Sequence, residues 1–575
     1  MNLRLLFLVV IGFTLSSGLC HATQAKSAYS EADLVLRNGF VYTVDKNRSQ
    51  ATAVAVKDGK ILYVGTDDRA AAFIGSSTKV IDLGGKMVLP GFIDSHCHPT
   101  GAYKHFFEIN LTGLPTPQDY IRVIKEYLQQ HPKSQFVRGR GWSNTLFPKT
   151  GPDRKILDDI AKDVAMSFSD DGGHAKWVNT RTLTLAGITR ETPNPPGGVI
   201  EHDPATGEPT GTLRESAENL IANVIPDYTV EEMTRGLEAY QRMALGFGIT
   251  TAHAASLDVG GSDTQAYENL SQASRLSMRF CGSLYVNPKG GSDQVAALRK
   301  EREKHYHPHF RITGAKIFVD GVVEGSTAYL NEPYLHIKDF RGEPLWNPAD
   351  LNKMCAELDK NGFRIHVHAI GDAATTVTLD AIAYAAKMNG KHDSRGMITH
   401  LQLVDPNDFS RFKQLGVTAV PQPYWFMKDD YYYKIQVPYL GQKRADVEYP
   451  MKSFFDAGVV VASSSDYSVT IPCNPLHAIQ IGMTRSKLDQ TDPKEVLWPA
   501  ERVSLDQMIA SFTIHGAFAN FLEGTTGSIE VGKMADLIIL DKNLFHIPVT
   551  EINTVRVLLT LFEGKEVFKE KTFIY

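Results

Sequence analysis

The sequence predicts an α/β protein, a (β/α)₈ barrel joined to a small β-sandwich that the two ends of the chain build together. Apolar strands alternate with helices through residues 361–470, a pattern typical of a parallel sheet, and enough such units close into a barrel. Short alternating strands separated by turns occupy residues 33–88, and residues 522–575 look similar. At 575 residues the chain is long enough for both parts.

The N-terminus predicts a secretory signal peptide over residues 1–22. Arg4 precedes an apolar run from Leu5 to Leu15, and small and polar residues follow. About 11 apolar residues are too few for a spanning helix, which needs about 20. We expect cleavage after Ala22, export to the periplasm or the medium, and no stable membrane insertion afterwards. An uncleaved anchor is the alternative, and lipid attachment at Cys20 stays open.

The barrel is predicted over residues 89–521. Residues 103–240 are irregular and contain many glycines and prolines, so we interpret them as a long insertion after the first barrel strand. Such an insertion lies over the barrel mouth and shapes the substrate pocket. Function in this fold sits at the C-terminal ends of the strands, and the chemically active residues of this sequence fall at such ends.

Composition excludes several classes of protein. A net charge of −5 argues against a nucleic-acid-binding surface. The sequence contains no convincing phosphate-binding glycine loop and no nucleophile elbow. The four cysteines that follow the signal peptide are far apart, which favours isolated buried thiols over a disulfide framework: Cys97, Cys281, Cys355 and Cys473.

Two histidines in "GFIDSHCHPT", His96 and His98, are the first candidates for a metal site. Side chains two positions apart on a strand point to the same face, with Cα atoms about 6.5–7 Å apart, so both imidazoles can reach one ion. Cys97 between them points the other way. Taken alone, the stretch also fits a thiol site or two ordinary histidines, and partners elsewhere in the chain must decide.

Lys316 in "RITGAKIFVDG" lies inside an apolar strand, where an ammonium group is costly to bury. It is either paired with a carboxylate in the barrel or carbamylated, which turns a cation into a carboxylate-like metal bridge. Asp320 follows in register with Lys316, and we expect it to line the same mouth.

Three later strand ends supply further candidates. "FRIHVHAIGD" contains His366 and His368 on one face, and His400 ends the next strand. Asp466 ends the apolar strand in "GVVVASSSDYS", where a carboxylate needs a cation, a hydrogen-bond network or a metal. One strand-end histidine is more often structural, and Asp466 alone fits a helix N-cap. The recurrence at successive strand ends favours a metal site with Asp466 as proton-transfer base.

In this order the residues resemble the amidohydrolase superfamily, and within it the YtcJ-like subgroup of amidohydrolase family 3, which includes N-substituted formamide deformylases. The resemblance covers nearly the whole chain after the signal peptide. The stretches that carry it are "PGFIDSHCH", "DGGHAKWVN", "GAKIFVDG", "HVHAIGD", "THLQLV", "SSSD" and "GSIEVGKMADLIILD".

The resemblance implies a metal centre of one or two divalent ions. One ion would be held by His96, His98 and Asp466. A carbamylated (N6-carboxylated) Lys316 would bridge it to a second ion on His368 and His400. Imidazole and carboxylate ligands suit Zn²⁺.

Three more histidines are expected around this centre. His366 maps onto no ligand, so we expect it to support a ligand or contact substrate. His174 in "DGGHAKWVN" matches a family stretch near the substrate, although a polar loop explains it equally. His253 is predicted to end a strand and to face the mouth as a substrate-specificity residue. The aromatic segment 424–433 is either a pocket wall or, as we favour, loop packing.

The predicted function is metal-dependent hydrolysis of a non-peptide, amide-like C–N bond of a small molecule, with Asp466 as the base. An ester, lactone or phosphotriester hydrolase on the same centre is the alternative, and a non-catalytic regulatory protein that keeps the fold is disfavoured. The expected partner is a small-molecule substrate rather than nucleic acid, and a homo-oligomer is one option for the assembly.

Overall fold

The computed structural model describes residues 30–574. The predicted signal peptide, residues 1–22, lies outside this range, so its cleavage stays a prediction. Within the described range, no helix has the length and the apolar character that a membrane span requires.

A nearly closed barrel of parallel strands forms the centre of the molecule, as the alternating pattern predicted. Ala419 makes a parallel bridge to Val461, which adds an eighth segment. The N–H of Ser95 donates to the carbonyl of Ser463 at 3.3 Å and joins this segment to the first strand. The named strands follow one another in chain order: Phe92–Cys97, Ile249–Leu257, Arg279–Tyr285, Phe310–Phe318, Arg364–Ala369, Met397–His400 and Thr418–Val420. Tyr306–His307 pairs antiparallel with the fourth of them.

Helices surround the barrel and bury the outer faces of its strands, which is why these strands are apolar on both faces. Local capping sets several helix starts. Thr229 and Glu232 form a reciprocal capping box, and the Asn347 side chain caps a helix that begins with proline. The helices in this part are Val230–Gly246, Ser262–Gln272, Gln294–Lys304, Pro348–Lys360, Asp372–Asn389, Phe409–Leu415, Val437–Leu440, Gln442–Ala445, Lys452–Asp456, Pro475–Thr484, Leu505–Ser511 and Ile514–Ala519.

The segment between the first barrel strand and the helix Val230–Gly246 builds a sheet of its own. Its core packs Trp142, Phe168 and Trp177. The strands are Ile109–Asn110, Phe136–Trp142, Ala165–Asp170, Ala175–Val178, Gly198–His202 and Pro209–Glu215. The helices are Ala102–Phe107, Pro117–Gln130, Arg154–Asp158 and Thr180–Ala186. Part of this segment reaches the barrel mouth, where it forms one wall of the central cavity.

The two ends of the chain form two further sheets that share one buried apolar cluster. The first contains the strands Lys60–Gly65, Ala53–Lys57, Leu34–Arg37 and Lys79–Asp82, with the short helix Asp67–Ala70 beside it. The second contains Lys565–Lys569, Val557–Phe562, Leu537–Leu540, Met87–Pro90, Phe40–Tyr42 and Gln50–Ala51.

The second sheet also packs against the barrel. Leu89 and Ile538 belong to the barrel's own apolar cluster. The guanidinium of Arg279, on a barrel strand, lies 2.8 Å from the carboxylate of Asp536 in a buried ion pair. The separate β-sandwich domain therefore stays a prediction, since its second sheet contributes residues to its own apolar cluster and also to that of the barrel. The strand Met87–Pro90 leads almost directly into the barrel strand that carries His96.

Candidate active site

Four of the predicted residues, His174, His368, His400 and Asp466, line a cavity of about 270 Å³ at the C-terminal end of the barrel strands. Its floor includes His368, His400 and Asp466. Its walls come from the insertion and from the loops after the fourth, fifth and seventh barrel strands: Thr112, Asp171, His174, Val322, Glu324, Ile370, Trp425, Tyr431 and Tyr449.

His96, His98 and Asp466 form a compact group, of which Asp466 lines this floor. The Nε2 atoms of the two histidines lie 3.4 Å and 3.3 Å from the same carboxylate oxygen, Oδ1 of Asp466. One ligand atom from each residue lies within 4.8 Å of the other two, and within residues 30–574 no other His, Cys, Asp or Glu group has this geometry. Oδ1 is buried and makes no hydrogen bond. Two imidazole nitrogens and one carboxylate oxygen thus converge, which fits a bound cation.

The electrostatics of this group favour a neutral His96 imidazole and an ionised Asp466 carboxylate, the charge states that bind a metal. Burial and the nearby Lys316 charge lower the pKa of His96 to about 3. Burial alone would raise the pKa of Asp466, but His96 and His98 outweigh it and hold that pKa well below the ordinary range. The backbone is strained here too, because His400 and Asp466 have φ values of +73° and +55°.

Lys316, His368 and His400 lie beside this group. Lys316 is buried, with its ammonium 4.9 Å from the ring centre of Phe318. Burial lowers the pKa of Lys316 to about 7, against the attraction of Asp466. The rings of His368 and His400 are 4.4 Å apart, and Nδ1 of His400 lies 3.9 Å from Oδ2 of Asp466.

Asp320 lies near His368 but serves the backbone. Its carboxylate accepts the N–H groups of Ile370, Gly371 and Tyr329 at 2.9–3.0 Å. It is 1% exposed, with Oδ1 3.8 Å from Nε2 of His368. This carboxylate therefore holds the backbone of the loops beside His368. It does not line the cavity, contrary to the expectation from the sequence.

His366 and His253 are both fully buried beneath the cavity. Nε2 of His366 lies 2.8 Å from Nδ1 of His96, so it contacts a candidate ligand. The strand that carries His253 continues to Leu257, which places this histidine in mid-strand. The prediction that it ends a strand and faces the mouth is therefore wrong, because the strand is longer than the apolar pattern indicated.

His174 does reach the cavity, from the insertion. Its Nδ1 lies 3.0 Å from Oε2 of Glu215. Glu215 also accepts the hydroxyl of Thr327 at 2.9 Å, and its φ is +50°. The aromatic segment divides between the two interpretations: Trp425 and Tyr431 line the cavity, whereas Tyr432 is packed in the core.

Two residues that position the site were missed from the sequence. Asp94 accepts the N–H of Ser465 at 2.9 Å and so holds the residue before Asp466. Oε1 of Gln422 lies 3.1 Å from Nδ1 of His400. A signal for both existed. Asp94 precedes His96 with the same period of two, and Gln422 lies just after the seventh strand, much as His400 ends the sixth.

Comparison with known proteins places the chain in a family. The sequence profile of the amidohydrolase family matches residues 79–568. The chain belongs to the amidohydrolase family. It is 29% identical to the putative amidohydrolase YtcJ of Bacillus subtilis, over 93% of this chain and 99% of that one. It is 28% identical to an N-substituted formamide deformylase of Arthrobacter pascens, over 92% and 97% of the two chains.

A solved structure agrees with the sequence relatives. An uncharacterized metal-dependent hydrolase from Pyrococcus furiosus superposes with a TM-score of 0.68 at 25% identity, over 89% of this chain and 99% of that one. This chain is therefore a metal-dependent hydrolase of the amidohydrolase type, which acts on carbon–nitrogen bonds.

Proposed function

We propose that this amidohydrolase cleaves an amide-like C–N bond of a small molecule at a metal held by His96, His98 and Asp466. The observation that carries the proposal is the buried, unpartnered Oδ1 of Asp466, which faces two imidazole nitrogens at 3.3–3.4 Å. A buried carboxylate oxygen that bonds to nothing is costly, and a cation is the natural partner for it.

The site offers two imidazole nitrogens and a carboxylate oxygen, which fit a divalent metal. We propose Zn²⁺, because it prefers ligands of these types. When bound, such an ion polarises the substrate carbonyl and lowers the pKa of water. Asp466 would accept the proton from the attacking water at its carboxylate and pass it to the leaving nitrogen. Trp425 and Tyr431 would enclose the substrate and limit the entry of bulk water.

We propose that a second ion, where present, uses Lys316, His368 and His400. A lysine reacts with carbon dioxide through its neutral amine, forming an N–C bond and releasing one proton. The lowered pKa of Lys316, about 7, keeps much of that amine neutral near neutral pH. The resulting carboxylate would lie close to the rings of His368 and His400, which are 4.4 Å apart.

Export of the enzyme is the remaining part of the proposal. The apolar run Leu5–Leu15 after Arg4, followed by small residues, supports a cleaved signal peptide and a periplasmic or secreted enzyme. Sequencing the N-terminus of the exported protein tests this, and a mature protein that still begins at Met1 in the cytoplasmic fraction contradicts it.

The function is tested by a hydrolysis screen of the purified full chain, loaded with Zn²⁺, Mn²⁺ or Co²⁺. The substrates are N-formyl amines, N-acyl amines, cyclic amides, esters, lactones and a phosphotriester. We expect release of amine from at least one C–N substrate, and a rate at least about 100-fold lower for Asp466→Asn, whose amide accepts no proton.

Three outcomes would overturn the proposal. Turnover of esters or phosphotriesters alone would assign the alternative chemistry. An Asp466→Asn enzyme of undiminished rate would remove the proposed base. Failure of the purified protein to bind any of the three metals would remove the centre itself.

A further inference from the structure

A line of buried polar side chains runs from the metal site down through the barrel. Nδ1 of His96 lies 2.8 Å from Nε2 of His366, whose Nδ1 lies 3.0 Å from Oγ of Ser283. That hydroxyl lies 2.8 Å from Nε2 of His253, and Nδ1 of His253 lies 2.7 Å from Oδ1 of Asn520. None of the five is more than 1% exposed.

The line connects the two ends of the barrel. His96 is at the mouth, while His366, Ser283 and His253 sit on three other barrel strands. Asn520 follows the helix Ile514–Ala519, and its carbonyl accepts a hydrogen bond from Arg311, near the start of a strand. The side chains therefore cross the barrel interior from the catalytic end to the opposite end.

Asn520, at the end of the line opposite the metal site, fixes the direction of the hydrogen bonds. Nδ2 of Asn520 donates to the carbonyl of Gly516 at 2.9 Å, which leaves Oδ1 to face His253. The reversed amide would bring Oδ1 against that carbonyl, where neither atom can donate. Because an amide oxygen only accepts, Nδ1 of His253 must carry the proton.

The remaining protons follow one after another, since a neutral imidazole carries one proton. Nε2 of His253 is bare, so it accepts the hydroxyl proton of Ser283. The Ser283 oxygen then accepts from Nδ1 of His366, which leaves Nε2 of His366 bare. That nitrogen accepts from Nδ1 of His96. Nε2 of His96 is left with a free lone pair, and this is the atom that lies 3.4 Å from Asp466.

The surroundings keep these imidazoles neutral. Burial holds the pKa of His253 well below the ordinary value, and the charges of Arg364 and Lys316 act in the same direction. A guanidinium nitrogen of Arg364 lies 3.0 Å from Nδ1 and 3.4 Å from Nε2 of His253. A guanidinium only donates, so this contact acts against a proton on Nδ1, whereas the shorter 2.7 Å contact with Oδ1 of Asn520, which only accepts, requires one.

We infer that Asn520, His253, Ser283 and His366 are positioning residues that fix the tautomer of His96, so that its Nε2 lone pair faces the metal. The inference rests on the proposed metal site. It places a determinant of metal affinity at the end of the barrel opposite the mouth, several side chains away from the ion.

The test measures the Zn²⁺ dissociation constant of the purified full chain by competition with a chromophoric chelator. Residues that orient a metal-ligating histidine typically change metal affinity by 10–100-fold. We expect Ser283→Ala, which adds no bulk, to weaken binding about tenfold, and Asn520→Leu to weaken it in the same direction. Loading with Co²⁺ adds a readout, because its absorption bands report the ligand geometry and should shift in both variants.

Matched controls separate orientation from general damage. Ser167→Ala makes the same substitution at a buried serine of the insertion, and His305→Gln replaces a buried histidine that bonds to Glu268 and Glu301 instead. Both should keep the wild-type dissociation constant. Thermal unfolding of each protein shows whether a loss of affinity merely follows a loss of stability.

Each outcome decides between the two proposals. Wild-type affinity and cobalt spectra in both Ser283→Ala and Asn520→Leu would overturn the inference and leave the metal site intact. Equal loss of affinity in the controls would also overturn it. A wild-type protein that binds no Zn²⁺ would overturn the proposed function, and the inference with it.

Discussion

Replacing His174 by glutamine should remove a stabilisation that depends on pH. The imidazole and the carboxylate of Glu215 are mostly buried, with 20% and 14% of their side-chain surfaces exposed. Burial alone would lower the pKa of His174, but the charge of Glu215 outweighs it and raises the pKa from 6.5 to about 10. The folded protein therefore binds this proton more tightly than the unfolded chain does.

The size of the effect follows from the two pKa values. One pKa unit of difference between the folded and unfolded states corresponds to about 1.4 kcal/mol. A rise from 6.5 to about 10 would give about 5 kcal/mol, and we halve it to about 2–3 kcal/mol because solvent in the cavity screens the pair. Since the folded pKa is the higher one, the stabilisation is complete below pH 6.5 and is lost as the pH rises through about 10.

The assay compares thermal unfolding midpoints of the zinc-loaded wild type and His174→Gln at about pH 6 and about pH 9.5. A chain of this length changes its midpoint by roughly 1 °C per kcal/mol. We expect the variant to melt about 2–3 °C below the wild type at the lower pH and within about 1 °C of it at the higher pH. Glu215→Gln should show the same pattern, because it removes the anion that holds the proton.

Thr327→Val is the matched control. It removes the hydroxyl that donates to Glu215 but leaves both charges, so its effect should be the same at both pH values. A midpoint difference between wild type and His174→Gln that does not change between the two pH values would refute the reasoning, since it would show that His174 carries no extra proton in the folded state.

Three further perturbations test the site itself. Lys316→Ala should lose most activity and regain part of it with added short-chain carboxylates, whereas full activity without them would exclude a bridging role. Chelation of the metal should lower the unfolding midpoint by about 2–3 °C for a site about 100-fold saturated, and no shift would mean that no stabilising ion was bound. Trp425→Ala removes the ring that stacks on His400 and should raise KM by about tenfold with metal content unchanged. An unaltered KM would place this ring outside the substrate contact.

The sequence predicted which residues share the site because the relevant signals are local. An apolar run followed by His98, His400 or Asp466 predicts a strand. The polar residue marks its C-terminal end, where catalytic residues lie in this fold. The period of two also placed His366 and His368 on one face, as the structure shows. The parallel barrel follows from the same alternation of strands and helices.

The sequence pattern did not predict how deep in the barrel His366 and His253 lie. His366 precedes His368 by two strand positions, which puts it about 7 Å deeper, out of the cavity and under His96. His253 is buried in mid-strand because its strand runs on to Leu257. The contacts of Asn520 with His253 link residues far apart in the chain, and no periodicity reports such a meeting.

The pairing of Met87–Pro90 with Leu537–Leu540 has a consequence for synthesis. Leu89 lies opposite Ile538. The ribosome must therefore add about 450 further residues after the strand Met87–Pro90 before its partner strand has been synthesised. At 5–20 residues per second, that delay is roughly 20–90 s. During this delay, the barrel strand that carries His96 follows a sheet that still lacks its C-terminal strands. A growing chain that stalls before residue 537 therefore leaves the strand Met87–Pro90, which leads into the strand of His96, without this partner.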